Sequence, residues 1–150
     1  MRGSKLLLAV AVVSALALPA QAAQPASGTL SKPNQKISWT GSFDVSTVEL
    51  RCEGPDLCDH FKLKLNMGEG ARVRVSLPAP SPVTDLDFFV YDPRGAEVAS
   101  SGNFPGEDEV AIFTHKARYR NQAYDIAVVP YLVAPGTTYK ATAQVVRYVK

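Results

Sequence analysis

The chain has 150 residues, of which 46 % are apolar, and its 16 basic and 14 acidic side chains give a formal net charge of +2. A chain of this length supports one domain with a buried core. The near balance of charge argues against generic nucleic-acid binding, which needs a basic field to displace counterions from the phosphates.

The N-terminal segment has the three-part layout of a secretory signal peptide. Arg2 and Lys5 precede an apolar run over residues 6–18, and residues 20–22 (Ala-Gln-Ala) supply a small-residue cleavage site. The run is shorter than the roughly 20 residues that a membrane-spanning helix needs. We therefore predict that residues 1–22 are removed and that the mature chain is secreted, extracellular and without a membrane span. Removal of the signal leaves 14 basic and 14 acidic residues.

Residues 23–36 are rich in Ala, Pro, Ser, Gly and Lys and offer little to bury. Such a composition predicts a flexible leader. We place the folded domain at residues 37–150, with its first strand starting near Ile37.

The two cysteines, Cys52 and Cys58, enclose a short segment that contains Gly54-Pro55. An even number of closely spaced cysteines in an oxidising compartment indicates a disulfide, and the Gly-Pro pair supplies the turn that brings the two sulfurs together. A zinc site is the weaker alternative, because neither a second cysteine pair nor a histidine cluster completes four ligands.

Apolar and polar residues then alternate with a period of two. Residues 60–67 and 72–77 both show this pattern, and Gly68-Glu69-Gly70 separates them. The pattern predicts two half-buried strands that form a β-hairpin around the glycine turn. The same alternation places four basic side chains on the outward parity of both strands, where they would form one basic strip: Lys62, Lys64, Arg72 and Arg74. The strip is either a contact for an anionic polymer or a solvated sheet face.

Beyond a proline-rich break at residues 78–82, residues 86–91 are apolar on both parities, which predicts a central strand covered on both faces. Asp92-Pro93-Arg94-Gly95 predicts a tight turn, after which residues 96–100 can pair back. Three further strands are predicted at residues 109–114, 124–131 and 138–149. About eight short strands at spacings near ten residues favour an all-β, antiparallel, jelly-roll-like β-sandwich.

Three stretches read together resemble one family. They are residues 85–95 (Asp-Leu-Asp-Phe-Phe-Val-Tyr-Asp-Pro-Arg-Gly) with 98–101, then Gly106-Glu107-Asp108-Glu109, then 124–130 followed by the Tyr139 strand. Together they resemble the bacterial pre-peptidase C-terminal (PPC) domain, a jelly-roll β-sandwich appended to secreted proteases and other exported enzymes.

The likeness covers about residues 37–148 and implies a non-catalytic accessory module for secretion, substrate targeting, or collagen or polysaccharide binding. Two features depart from the family pattern. We expect no catalytic domain in this chain, and the family pattern does not require the Cys52–Cys58 loop.

Six carboxylates form the densest set of oxygen donors in the chain: Asp85, Asp87, Asp92, Glu107, Asp108 and Glu109. A calcium ion takes six to eight oxygen ligands, commonly from loops at strand ends. Calcium binding is therefore one interpretation. The alternative is that these side chains solvate turns and discourage pairing at sheet edges.

Aromatic side chains are candidates for a platform that stacks against sugar rings: Trp39, Phe89, Tyr91, Phe104, Tyr119 and Tyr131. In a small sandwich such residues more often fill the core. We expect Trp39, which follows the alternation of the first strand, to be a core residue.

The sequence offers few residues that could support catalysis. His60 and His115 are the two histidines, and neither lies in a nucleophile motif such as Gly-X-Ser-X-Gly. We expect a secreted, non-catalytic module that binds an extracellular protein or polysaccharide. The alternatives are a structural or chaperone-like partner of another exported protein and a small secreted hydrolase.

Overall fold

The computed structural model describes residues 23–44, 52 and 58–147, and these residues form nine strands and one 3-10 turn. The predicted signal peptide lies outside the described residues. The elements are β1 (Ser27–Ser31), β2 (Lys36–Phe43), β3 (Asp59–Asn66), β4 (Arg72–Leu77), β5 (Asp85–Tyr91), β6 (Glu97–Ser101), β7 (Glu109–Thr114), the 3-10 turn (Ala117–Tyr119), β8 (Ala123–Leu132) and β9 (Thr137–Arg147).

The strands form two sheets packed face to face. The five-stranded sheet has the order β1-β3-β8-β5-β6, and the four-stranded sheet has the order β2-β9-β4-β7. All pairings are antiparallel except that of β1 with β3, which is parallel. The all-β sandwich predicted from the alternation is confirmed.

The core lies between the sheets because every strand turns one parity inward. On β3 the side chains of Phe61, Leu63 and Leu65 are at most 1 % exposed. Trp39 of β2 stacks on Phe61 with ring centroids 4.1 Å apart and planes at 4°. This contact joins the two sheets, since β2 and β3 belong to different layers. Trp39 is therefore a core residue, as we expected.

The hairpin predicted between β3 and β4 does not form, because the two strands belong to different sheets. The glycine segment between them carries the chain across the sandwich. The N–H group of Gly70 donates to the carbonyl of His115, and the N–H group of His115 donates to Ala71. Alternation correctly identified which side chains are buried, but it carries no information on which strand pairs with which.

The flexible leader predicted over residues 23–36 is also wrong for much of that segment. Strand β1 lies within it and pairs with β3 over five residues, from Ser27 opposite Lys62 to Ser31 opposite Asn66. Leu30 is fully buried in the core. One buried leucine in a polar run is a weak sequence signal, and the exposed edge of β3 provides the hydrogen-bonding partners that stabilise the strand.

Two local predictions are confirmed. Cys52 and Cys58 form a disulfide, with 5.7 Å between their Cα atoms. Residues 92–95 turn the chain from β5 into β6, and the two strands pair antiparallel. Gly95 has φ of +81°, which the turn requires and which a residue with a side chain rarely adopts.

Candidate ligand-binding cleft

The six carboxylates proposed as calcium ligands divide between the two ends of β5. Asp85 and Asp87 lie at its start, whereas Asp92 follows its end. Seven residues of extended chain span about 23 Å, so Asp92 cannot share an ion with Asp85. Asp92 instead accepts hydrogen bonds from two N–H groups of its turn and from the hydroxyl of Tyr119. The bond from Tyr119 and the turn N–H groups lower the pKa of Asp92.

Two more of the six carboxylates stabilise the loop between β6 and β7. Glu109 Oε1 accepts the backbone N–H of Asn103 at 2.9 Å, and Asp108 Oδ1 accepts the N–H of Ala79 at 3.0 Å. The amide of Asn103 donates to the carbonyl of Asp108 at 2.9 Å. These bonds fix the shape of the loop.

The remaining three carboxylates open onto one cleft of about 450 Å³. The cleft lies beside the outer face of the five-stranded sheet, meaning the face turned away from the four-stranded sheet. Besides Gly102, its lining is Asp85, Asp87, Asn103, Phe104, Glu107 and Tyr131. The sheet contributes Asp85, Asp87 and Tyr131, and the loop after β6 contributes the others.

The loop holds Phe104 out toward solvent, with 79 % of the residue exposed. The N–H of Gly106 donates to the carbonyl of Thr84 at 3.0 Å. Gly106 has φ of +81°, and a Cβ at this position would lie 2.6 Å from the carbonyl oxygen of Pro82. The backbone therefore needs glycine here. Sequence reasoning did not identify Asn103 or the structural need for glycine at position 106, although a Gly-Asn-Phe-Pro-Gly run is a recognisable loop signal.

Burial and mutual repulsion dominate the electrostatics of the cleft. Burial, the charge of Asp85 and the charge of Glu109 raise the pKa of Asp87 to about 6. Burial also raises the pKa of Asp85. Among the residues that the structure describes, none that lines the cleft is basic. The carboxylates of the cleft therefore repel one another, and a bound cation would reduce this repulsion.

We expect Asp87→Asn to stabilise the fold at pH 7.5 and to have no effect at pH 3.5. In the folded protein the pKa of Asp87 is about 6, above the ordinary aspartate value of 3.8. The stability linked to protonated Asp87 is thus fully present below pH 3.8 and is lost as the pH rises through about 6. After allowance for solvent screening, the gain at pH 7.5 is about 1.5 kcal/mol. Chemical denaturation at both pH values measures it.

Glu69→Gln is the matched control, because it removes one exposed carboxylate from the turn after β3, at the end of the sheet away from the cleft. It should not stabilise the protein in this way. If Asp87→Asn were no more stable than the parent at pH 7.5, the result would contradict unfavourable burial and repulsion of the Asp87 charge.

The six candidate aromatic residues fall into two groups. Trp39 and Tyr119 are at most 2 % exposed and belong to the core. The other four are solvent-accessible: Phe89, Tyr91, Phe104 and Tyr131. Phe104 and Tyr131 line the cleft. Phe89 and Tyr91 follow Asp87 on the outward parity of β5, with ring centroids 6.2 Å apart. The strand predicted to be covered on both faces thus presents aromatic rings on its outer face.

The basic strip does not form. Lys62 and Lys64 lie on the outer face of the five-stranded sheet, whereas Arg72 and Arg74 lie on β4 in the other sheet. The outer faces of a sandwich point in opposite directions, so the two pairs are separated. Lys62 Nζ lies 2.9 Å from a carboxylate oxygen of Asp125 and is partly neutralised by it.

The two histidines lie in different surroundings. His60 Nδ1 donates to Asp125 at 3.0 Å, and this hydrogen bond raises the pKa of His60. His115 is 1 % exposed, lies 3.2 Å from the hydroxyl of Tyr124, and has its pKa lowered by burial. Each histidine thus takes part in a side-chain contact within the folded domain.

Metal ligation has no ready set of side chains in the part of the chain that the structure describes. No group of three or more His, Cys, Asp or Glu side chains there is arranged to hold an ion. The calcium interpretation therefore lacks a ligand set among these residues.

A second cleft of about 560 Å³ adjoins the first, because Thr84 and Leu132, which line it, directly precede Asp85 and follow Tyr131. The described residues that line it include no charged or aromatic side chain. The smaller cleft is the better candidate site, because it combines an exposed ring with polar groups that can orient a ligand.

Within residues 23–44, 52 and 58–147, no helix has the length and apolar character that a membrane span needs.

No model of a known protein family matches the chain, and no curated protein matches it in sequence.

Proposed function

We propose that this chain is a secreted, non-catalytic binding module of the PPC type and that it holds an extracellular polysaccharide in the cleft. The exposure of Phe104 carries the proposal. A phenyl ring that is 79 % exposed is costly to leave in water, and the hydrogen bonds of Asn103 and Gly106 fix the loop that presents it. Such a ring is suited to stack on the apolar face of a pyranose.

The rest of the cleft supplies the hydrogen bonds that a sugar requires. The amide of Asn103 and the carboxylates of Asp87 and Glu107 can bind hydroxyl groups, while Tyr131 forms a second aromatic wall. Beyond the cleft, Phe89 and Tyr91 continue an aromatic track along β5. A linear polymer suits a track of this kind better than a compact ligand does.

Export is part of the proposal. The Cys52–Cys58 disulfide supports it, because disulfides persist mainly in oxidising compartments. The predicted signal peptide supports it independently.

Phe104→Ala should lower the affinity for the bound polysaccharide at least tenfold. Truncation of a central aromatic contact costs about 2 kcal/mol, and each 1.4 kcal/mol is a factor of ten. We would titrate the purified chain with a panel of soluble bacterial, plant and matrix polysaccharides by calorimetry. Because Phe104 packs little, its removal should leave the melting temperature unchanged.

Ile112→Ala is the control, since Ile112 is an exposed apolar residue on β7, in the other sheet. It should bind as the parent chain does. The proposal fails if no polysaccharide binds, or if Phe104→Ala binds as tightly as the parent.

A second candidate is a structural or chaperone-like partner of another exported protein. Val110 and Ile112 are 45 % and 38 % exposed on β7, which is an edge strand of the four-stranded sheet. An apolar edge can pair with another chain. A pull-down from culture medium that depends on Ile112 and not on Phe104 would favour this function.

A further inference from the structure

The cleft carries an excess of negative charge. Of the lining residues within the described part of the chain, three are acidic and none is basic. A site for neutral sugars needs hydroxyl-binding groups, but it does not need three carboxylates without a counter-charge. The charge of the cleft therefore indicates the chemistry of the ligand more narrowly than the aromatic rings do.

Asp85 provides an independent indication. It is 6 % exposed and lines the cleft, and no hydrogen bond or ion pair satisfies its carboxylate within the described part of the chain. Burial disfavours the charged form of a carboxylate that has no internal partner, and it raises the pKa of Asp85. A hydrogen-bond donor that enters the cleft would supply the missing partner, and a positively charged donor would do so best.

Asp87 stands next on the same parity of β5 and faces the same cleft. Its carboxylate likewise has no hydrogen-bond partner among the described residues. Two neighbouring carboxylates can bind one cation between them, and the resulting bonds are about twice as strong as those between neutral groups.

The walls favour an organic cation over a metal ion. A hard metal ion needs six or more oxygen ligands, and the described residues offer no set of three suitable side chains. The rings of Phe104 and Tyr131 attract organic ammonium groups through their π faces. Rings beside carboxylates are thus suited to an ammonium group on an apolar frame.

We propose that the cleft recognises a free amino group of an amino-sugar unit, with the ammonium group bound between Asp85 and Asp87 and the sugar ring stacked on Phe104. This inference rests on the proposed polysaccharide function and specifies its ligand class. The carboxylates keep the amine protonated, because nearby opposite charges favour the charged form. Glu107 at the rim attracts neighbouring cationic units of the same polymer.

The test uses two ligands that differ only in the amino group, namely a β-1,4-linked glucosamine oligosaccharide and its fully N-acetylated counterpart. We would titrate both into the purified chain at pH 6. The free amine should bind at least tenfold more tightly, and the preference should weaken as salt is raised.

Variants separate the two parts of the site. Asp87→Asn should weaken binding of the free-amine oligosaccharide about tenfold more than it weakens binding of the acetylated one, which loses only a contact to a hydroxyl group. Phe104→Ala should weaken both ligands alike. Glu69→Gln removes the same charge from a distant turn and should change neither affinity. Glu107→Gln should cause a smaller loss for the free amine.

Each outcome has a definite meaning. If the acetylated oligosaccharide binds as tightly as the free amine, the amino-sugar inference is wrong while the polysaccharide function stands. If neither these oligosaccharides nor any panel polysaccharide binds, both are wrong. If an oligolysine peptide binds more tightly than the glucosamine oligosaccharide, the cleft binds a basic polypeptide and the amino-sugar inference is overturned.

Discussion

Tyr139→Phe should lower the free energy of unfolding by about 3 kcal/mol at pH 7.5. The hydroxyl of Tyr139 on β9 donates to Asp59 Oδ2 on β3 at 2.5 Å, so the bond joins the two sheets. Tyr139 and Asp59 are 4 % and 1 % exposed. Removal of the hydroxyl takes a hydrogen bond from a buried carboxylate, which costs more than the loss of a bond between neutral groups. Urea denaturation measures the change.

The pH dependence of this loss identifies its cause. Burial raises the pKa of Asp59, and the bond from Tyr139 opposes that rise. In the variant the pKa should therefore rise further. Because a raised carboxyl pKa means that stability falls as the pH passes upward through it, the difference from the parent should be largest at neutral pH and small at pH 3.5.

Tyr131→Phe is the matched control, since it removes a hydroxyl from an exposed tyrosine. It should change stability by less than about 0.5 kcal/mol. A Tyr139→Phe variant that lost equal stability at pH 7.5 and pH 3.5 would contradict an ionised Asp59 as the cause.

Gly41→Ala should destabilise the fold by about 3 kcal/mol, because the same contact leaves no room for a methyl group. Gly41 lies opposite Tyr139 in the pairing of β2 with β9. A Cβ at this position would lie 2.0 Å from Asp59 Oδ2 and 2.5 Å from the tyrosine ring. Both neighbours are buried and hydrogen-bonded, so neither can move without losing that bond. Thermal and urea unfolding measure the loss.

Thr40→Ala, at an exposed position of the same strand, controls for strand propensity and should have little effect. A double-mutant cycle with Asp59→Ala tests the steric cause. Shortening Asp59 makes room for the methyl group, so the two losses should sum to about 1 kcal/mol more than the double variant shows. Strictly additive losses would show that the carboxylate is not the obstacle.

These contacts show that several of the polar side chains considered as ligands stabilise the fold instead. Asp92, a proposed calcium ligand, is a turn residue that also accepts the Tyr119 hydroxyl. Asp108 and Glu109 stabilise the loop that presents Phe104. The three carboxylates that remain line the cleft, and they differ from the structural ones because their side chains make no hydrogen bond or ion pair with other described residues.

Local chemistry explains which predictions were confirmed. The alternation over residues 60–67 was sufficient to place Phe61, Leu63 and Leu65 in the core, because the side-chain period of a strand is fixed by its backbone. The turn at residues 92–95 follows from the conformational preferences of proline and glycine. The disulfide follows from two cysteines only six residues apart.

The sequence pattern could not predict features that depend on pairing over long distances. The alternating pattern around Lys62 and Arg74 does not indicate that their strands lie in different sheets. The predictions of a hairpin and of a basic strip were therefore both wrong. Strand β1 was missed because its stability comes from the edge of β3, more than 30 residues further along the chain.

By itself, the sequence determined an all-β domain, the buried parity of its strands, its tight turn and its disulfide, because each depends on neighbours within a few residues. Only the tertiary structure decided which carboxylates share a cleft, which aromatic rings face solvent, and why position 41 must be glycine. Those properties arise where β5, β8 and the loop after β6 meet, or where β2, β3 and β9 meet. The contacts join segments that are distant in sequence, and their closeness is set by sheet order.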